Sequence, residues 1–165
     1  MPVIAAVELD DLIASGERAR EPDARHRRFR AAVHHSHFFD GRHPFADLTI
    51  SLPFNNPELL RKAIQENKHQ IAAVIIEPIP ANAGLYFPRE KFLSILREEC
   101  TSNDTLLIFD EVITGFRVAR GGAQQLYGVK PDLTVLGKIT GGGLPVGAFG
   151  GRAEIMPARI FANSG

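Results

Sequence analysis

Apolar positions along this chain follow two different periods, and the places where the period changes mark its elements. Val3, Ile4, Val7, Leu9, Leu12 and Ile13 recur at roughly helical spacing ahead of Gly16, which predicts a short helix over 3–13. Leu48 to Leu52 fits an extended segment. Asn56, Pro57 and Glu58 then supply an N-cap, a first-turn proline and a first-turn acid for a helix that turns Leu59, Leu60, Ala63 and Ile64 inward. Ile71 to Ile76 is a continuous, β-branched-rich run without polar alternation, as expected of a parallel strand covered on both faces. Glu77-Pro78 ends it. Pro80, Asn82 and Gly84 mark a turn-rich stretch, and after Pro88 an amphipathic helix sets Phe92, Leu93, Ile95 and Leu96 on its buried side. Leu106 to Phe109 repeats the buried-strand pattern and breaks at Asp110-Glu111. A short helical stretch near Ala123 to Tyr127 precedes a strand over Leu133 to Leu136, which stops at Gly137-Lys138, and Val146 to Phe149 offers one more. Strand, helix and strand within about 40 residues make a βαβ unit with a right-handed crossover, so the chain is α/β.

Composition restricts the class without naming a function. With 165 residues, 44% of them hydrophobic and 23% charged, the chain can bury one core without disulfides or structural metal. Nineteen basic residues balance nineteen acidic ones, so no overall field attracts nucleic acid or an anionic bilayer. The arginines between Arg18 and Arg30 read as a solvated helix face, because no aromatic stacking pattern accompanies them. No apolar stretch approaches the ~20 residues of a membrane-spanning helix. Glu8, Asp10 and Asp11 argue against a secretory or organellar leader, and the expected location is the cytoplasm. The organisation expected is an N-terminal segment of unclear, partly helical fold over 1–47, a core over 48–157 and a tail over 158–165.

Three strand ends deliver polar groups to the side of the sheet where open α/β folds collect ligands: Glu77, then Asp110-Glu111, then Lys138. A lysine amine with a lowered pKa attacks carbonyl groups, and an aldehyde-bearing pyridoxal ring is a natural partner for it. An aspartate can hold such a ring's nitrogen protonated. Asp110 and Lys138 suit those two roles, although a structural ion pair at a sheet edge would use the same residues. Gly137 and Gly141 to Gly143 would let the backbone approach a flat ring. They form no phosphate loop, since Asp132 stands where a P-loop needs glycine and Ile139 where it needs Ser or Thr. His34, His35, His37 and His43 lack the carboxylate or thiolate that would complete a metal site, so no metal is expected. Cys100 has no evident base partner. Arg117 and Arg152 are equally suited to an anion or to a structural ion pair.

Leu107 to Arg117, reading Leu-Ile-Phe-Asp-Glu-Val-Ile-Thr-Gly-Phe-Arg, together with Pro131 to Lys138 and the three glycines after it, resembles the signature of class III pyridoxal-phosphate aminotransferases. Val74 to Ile79, Asn82 to Gly84, Gly121 to Gln124 and Gly137 to Arg152 are most similar to the glutamate-1-semialdehyde aminomutase branch, and the resemblance covers about residues 50–156. It implies a fragment of the large domain of the type I pyridoxal-phosphate transferase fold, a mostly parallel sheet flanked by helices. Residue by residue it implies Lys138 as the lysine that binds pyridoxal 5'-phosphate and shuttles protons, and Asp110 as partner of the ring nitrogen. Val112 would pack on the ring face and Asn82 lie near the phenolic oxygen, with Glu77 behind them. The implied substrate is a small amino or oxo acid, and the implied reaction converts glutamate 1-semialdehyde to 5-aminolevulinate for tetrapyrrole synthesis. An ω-amino transaminase and a non-catalytic interaction module stay open as alternatives. The family is homodimeric and more than twice as long. Segments that cup the cofactor phosphate and reach into the partner's site are not recognisable here, so a truncated chain with weakened cofactor affinity is expected, and whether it is an enzyme alone stays open.

Overall fold

The computed structural model describes residues 3–6, 49–68, 70–82 and 84–156. Its strands are β1 (Val3–Ala6), β2 (Ile50–Pro53), β3 (Ala73–Ile76), β4 (Leu106–Asp110), β5 (Leu133–Leu136) and β6 (Ala148–Gly151), and its helices are α1 (Pro57–Glu66), α2 (Phe92–Ser102) and α3 (Gly122–Tyr127). The strands form one sheet in the order β2-β1-β3-β4-β5-β6. β3, β4 and β5 are mutually parallel, while β1 and β6 run against them at either side. Because β2 is antiparallel to β1, four of the six strands point the same way. The α/β class with a mostly parallel sheet is therefore observed.

The helix expected over 3–13 is overturned at its start, since Val3–Ala6 is a strand. It pairs with β2 from Val3↔Pro53 to Ala6↔Ile50 and with β3 at Ala5↔Ile75. Helical spacing of apolar residues is a local signal, whereas hydrogen bonding to a strand on each side is a tertiary gain that β-branched Val3 and Ile4 also favour. The rest of that helix, the arginine-rich stretch and the histidine cluster lie outside the described residues.

α1 begins as its sequence dictates: Asn56 Oδ1 accepts the Leu59 N–H at 3.0 Å, and Pro57 occupies the first turn. Its buried stripe is Leu60, Ala63 and Ile64; Leu59, expected inward, is exposed because the i, i+3, i+4 face starts one residue later. On α2 the buried side comprises Phe92, Leu93, Leu96 and Cys100, with Ile95 only half-buried. These stripes meet Val74 and Ile76 of β3 and Leu107 and Phe109 of β4 in one core, and Phe54 joins it edge-on to Phe92 at a 5.3 Å centroid separation. Each large side chain so buried contributes roughly 1.5–3 kcal/mol. Cover on both faces was expected of the central strands. β4 alternates instead, with Leu107 and Phe109 buried under the helices and Leu106, Ile108 and Asp110 half-buried on the other face.

Candidate functional site at the carboxyl ends of the parallel strands

Register alone brings three of the expected residues to one edge. Ile76 pairs with Phe109, so Glu77 and Asp110 leave their strands level with one another, and Asp110 in turn pairs with Val135. β5 ends at Leu136, and Lys138 follows after a single glycine. The carboxyl ends of β3, β4 and β5 thus present Glu77, Asp110 and Lys138 in side-by-side order. Asn82 lies farther out, exposed in the loop after β3. That loop is closed by the Tyr86 N–H donating to Pro80 O at 2.9 Å and is tied to the start of α1 by Asn55, which donates to Phe87 O and accepts from the Arg89 N–H.

Local turns orient the acid and the amine. Asp110 Oδ1 accepts the Val112 N–H at 3.0 Å, an Asx turn that aims the carboxylate as the chain leaves β4. Val112 then packs against Gly137: a Cβ added there would stand 3.2 Å from Val112 Cγ1, so a glycine just before Lys138 lets the two strand ends close up. Lys138 has φ +48°, a left-handed conformation that costs a residue with a Cβ about 1–2 kcal/mol. Such strain is retained where the surroundings over-determine it, as at binding sites. The lysine is exposed and opens a tight 3-10 turn, Lys138–Gly141, in which the Thr140 N–H donates to Gly137 O at 3.1 Å. Within this turn the Thr140 Oγ1 is buried and has no hydrogen-bond partner.

Glu111 was not singled out by the sequence, where it reads as the polar end of a strand. It is almost wholly buried, and its carboxylate is saturated with donors: Thr114 Oγ1 at 2.9 Å, the Ala123 N–H at 2.5 Å, and the Gln124 N–H and Nε2 at 3.2 Å each. A groove of about 890 Å³ beside it is lined by Phe116, Gln124, Thr134 and Arg152, but by neither Asp110 nor Lys138. Both buried acids in its lining, Glu111 and Asp132, are already engaged in hydrogen bonds.

The other candidates take structural places. Arg152 and Arg97 both hold Asp132, at 2.9 and 2.6 Å, and Asp132 also accepts the Leu107 N–H at 2.8 Å. Burial alone would raise the Asp132 carboxyl, but the Leu107 amide and the two guanidinium groups hold it below the usual carboxylate value. Arg117 Nε donates to Ile113 O within its own turn. Burial pushes the Cys100 thiol up to about 12, so it carries no thiolate near neutral pH. Among the described residues no cluster of His, Cys, Asp and Glu suits a metal ion, and no helix is long and apolar enough to cross a membrane.

The chain is thus an α/β domain whose open sheet carries an acid and a lysine at the carboxyl ends of adjacent parallel strands, the edge where open α/β sheets as a class collect ligands. The family model for class III aminotransferases matches residues 27–165, and the chain belongs to that family. It is 65% identical over 109 residues to a glutamate-1-semialdehyde 2,1-aminomutase of Akkermansia muciniphila, an overlap covering 66% of this chain and 26% of that protein. Among solved structures it is similar to a β-phenylalanine aminotransferase from Variovorax paradoxus, with a TM-score of 0.61 and 43% identity over 64% of this chain and 24% of the other. It is similar too to a transaminase with PLP bound, with a TM-score of 0.57 and 40% identity over 61% and 24% of the two chains. The chain therefore spans about a quarter of the length of the curated relative it matches.

Proposed function

We propose that this chain carries the pyridoxal 5'-phosphate-binding core of a class III aminotransferase, with Lys138 as the cofactor lysine and Asp110 as the partner of the ring nitrogen. The observation that carries the proposal is the pairing of strand ends: Asp110 and Lys138 leave adjacent parallel strands, and Val112 lies against the glycine between β5 and the lysine. The residues fit the group. Lys138 offers an exposed amine and Asp110 an acid fixed by its own turn, while Gly137 leaves a shallow wall faced by Val112. Asn82 and Glu77 are the polar groups assigned to the phenolic side of the ring. When bound, the cofactor supplies an electron sink for charge that develops on a substrate carbon. Asp110 keeps the ring nitrogen protonated, and the Lys138 Nζ takes up and returns protons beside the substrate.

The 65% identity to an aminomutase favours glutamate 1-semialdehyde as substrate, with its amino group relocated to give 5-aminolevulinate, a tetrapyrrole precursor. The likeness to a β-phenylalanine aminotransferase supports a second reading, transfer from an ω-amino donor to an oxo acid. Conversion of the semialdehyde without any external amino acceptor separates the two. A homodimer in the cytoplasm is the assembly we infer; the exposed Leu85, Phe87, Leu144 and Phe149 supply apolar surface for it. Pyridoxal phosphate added to the 165-residue chain should produce a visible band near ~420 nm, the colour of this cofactor bound to a lysine, and Lys138→Ala should abolish it. A band that survives in Lys138→Ala would refute the assignment.

A further inference from the structure

Glu111 stands between the two residues that shape the acid side of the site, and every polar group it has is engaged. Its N–H donates to Val135 O at 2.9 Å, extending the ladder between β4 and β5 by one bond. Its carbonyl accepts the Gly115 N–H at 2.8 Å. Its carboxylate takes the Thr114 hydroxyl and three donors from Ala123 and Gln124. Gln124 Nε2 also reaches Thr134 Oγ1 at 3.3 Å, so the clasp returns to β5. Gly122 completes the enclosure, because a Cβ there would run into the Glu111 carboxylate. Residue 111 is thus fixed through backbone and side chain to β5, to the turn at 114–115 and to the start of α3. Asp110 and Val112, one residue to either side, close the Asx turn that aims the Asp110 carboxylate.

We infer that Glu111 is a positioning residue for Asp110: its clasp on residues 114, 123 and 124 holds the turn in which the Val112 N–H stays on Asp110 Oδ1. This rests on the reading of Asp110 as the acid that faces the cofactor ring, and it assigns Glu111 no contact with the ring. Glutamine in its place keeps the shape but turns its amide donor either toward the Ala123 N–H on the Oε2 side or toward the two Gln124 donors on the Oε1 side, so the clasp opens while the fold's main core, built on α1, α2, β3 and β4, is untouched.

Amide hydrogen exchange on the full chain without cofactor tests this. The Val112 N–H reports the Asx turn, and the Leu107 N–H, held by Asp132 farther back on the same strand, reports global opening. Glu111→Gln should speed exchange at Val112 by ~tenfold or more and change Leu107 by less than about twofold. Thr114→Val removes one donor and should give a smaller rise, again confined to Val112. Thr114→Ser restores the hydroxyl and should exchange like the parent. Acceleration of Val112 and Leu107 by a common factor, or an unchanged Val112 in Thr114→Val, overturns the inference. Should Glu111→Gln fail to fold, the Thr114 pair decides alone. The Lys138→Ala spectrum fails or succeeds independently, so a wrong cofactor assignment is distinguishable from a wrong role for Glu111.

Discussion

Removing the charge of Asp132 should cost this chain more stability than any other single polar change at the amino-terminal end of the sheet. The carboxylate is buried just before β5, yet it organises three segments: it accepts the Leu107 N–H of β4 at 2.8 Å, Arg97 of α2 at 2.6 Å and Arg152 after β6 at 2.9 Å. Arg152 is more than half exposed and solvent screens its contribution, so we count nothing for it. The Leu107 amide and the mostly buried Arg97 remain, and hydrogen bonds to a charged group contribute about 1.5–3 kcal/mol each. Both bonds fall on Oδ2, so an asparagine with its oxygen there keeps the two acceptor contacts as neutral bonds of about 1 kcal/mol each and turns its amide toward Arg152; with the charge gone, Asp132→Asn should destabilise by about 2–3 kcal/mol, read as a lower urea midpoint at unchanged slope. The same interactions hold the folded-state pKa below the ordinary 3.8. The folded chain therefore binds this proton less readily than the unfolded one, and the stabilisation is fully present above 3.8 and is lost as pH falls through the lower folded value. The gap between the parent and Asp132→Asn should accordingly shrink in acid. A loss under about 1 kcal/mol at neutral pH, or a gap that does not narrow below about pH 4, would refute the reasoning.

Two glycines with nearly the same backbone separate strain from enclosure. Gly122 has φ +69° and would drive a Cβ into the Glu111 carboxylate, whereas Gly128 has φ +65° and open space around it. Gly128→Ala should cost only the left-handed backbone penalty, about 1 kcal/mol, and Gly122→Ala should add a disrupted buried carboxylate for about 3 kcal/mol or more by thermal or urea unfolding. Equal losses would mean that the Glu111 enclosure is not stabilising. Asn56→Ala removes the acceptor of the Leu59 N–H and should lower stability by about 1 kcal/mol, with helix content measured by circular dichroism changing only near the transition.

Where a feature depends on nearby sequence, it was legible. The Asn56-Pro57 start of α1 needs only a cap and a proline, and the apolar runs of β3 and β4 need only β-branched side chains, so both stand close to where the pattern sets them. Asp110 and Lys138 were legible for the same reason, as polar residues that end apolar strands, and the parallel register between β4 and β5 then brings those ends together. Three features escaped because they are settled by distant partners. Val3 to Ala6 has the spacing of a helix but lies between β2 and β3, whose hydrogen bonds decide its state. Leu59 falls outside the buried stripe because the core is placed by where α2 lies, which the periodicity of α1 cannot contain. Glu111 looked like one more strand-end acid beside Asp110, and its burial depends on Ala123 and Gln124, a dozen residues away. Backbone alternation across the end of β4 is what divides the two acids: Asp110 emerges on the face away from the helices, and Glu111 turns under α3, where it is saturated. Adjacent residues of the same chemical type are therefore placed differently, Asp110 half-buried with Oδ1 on the Val112 N–H and Glu111 buried with its carboxylate fully engaged.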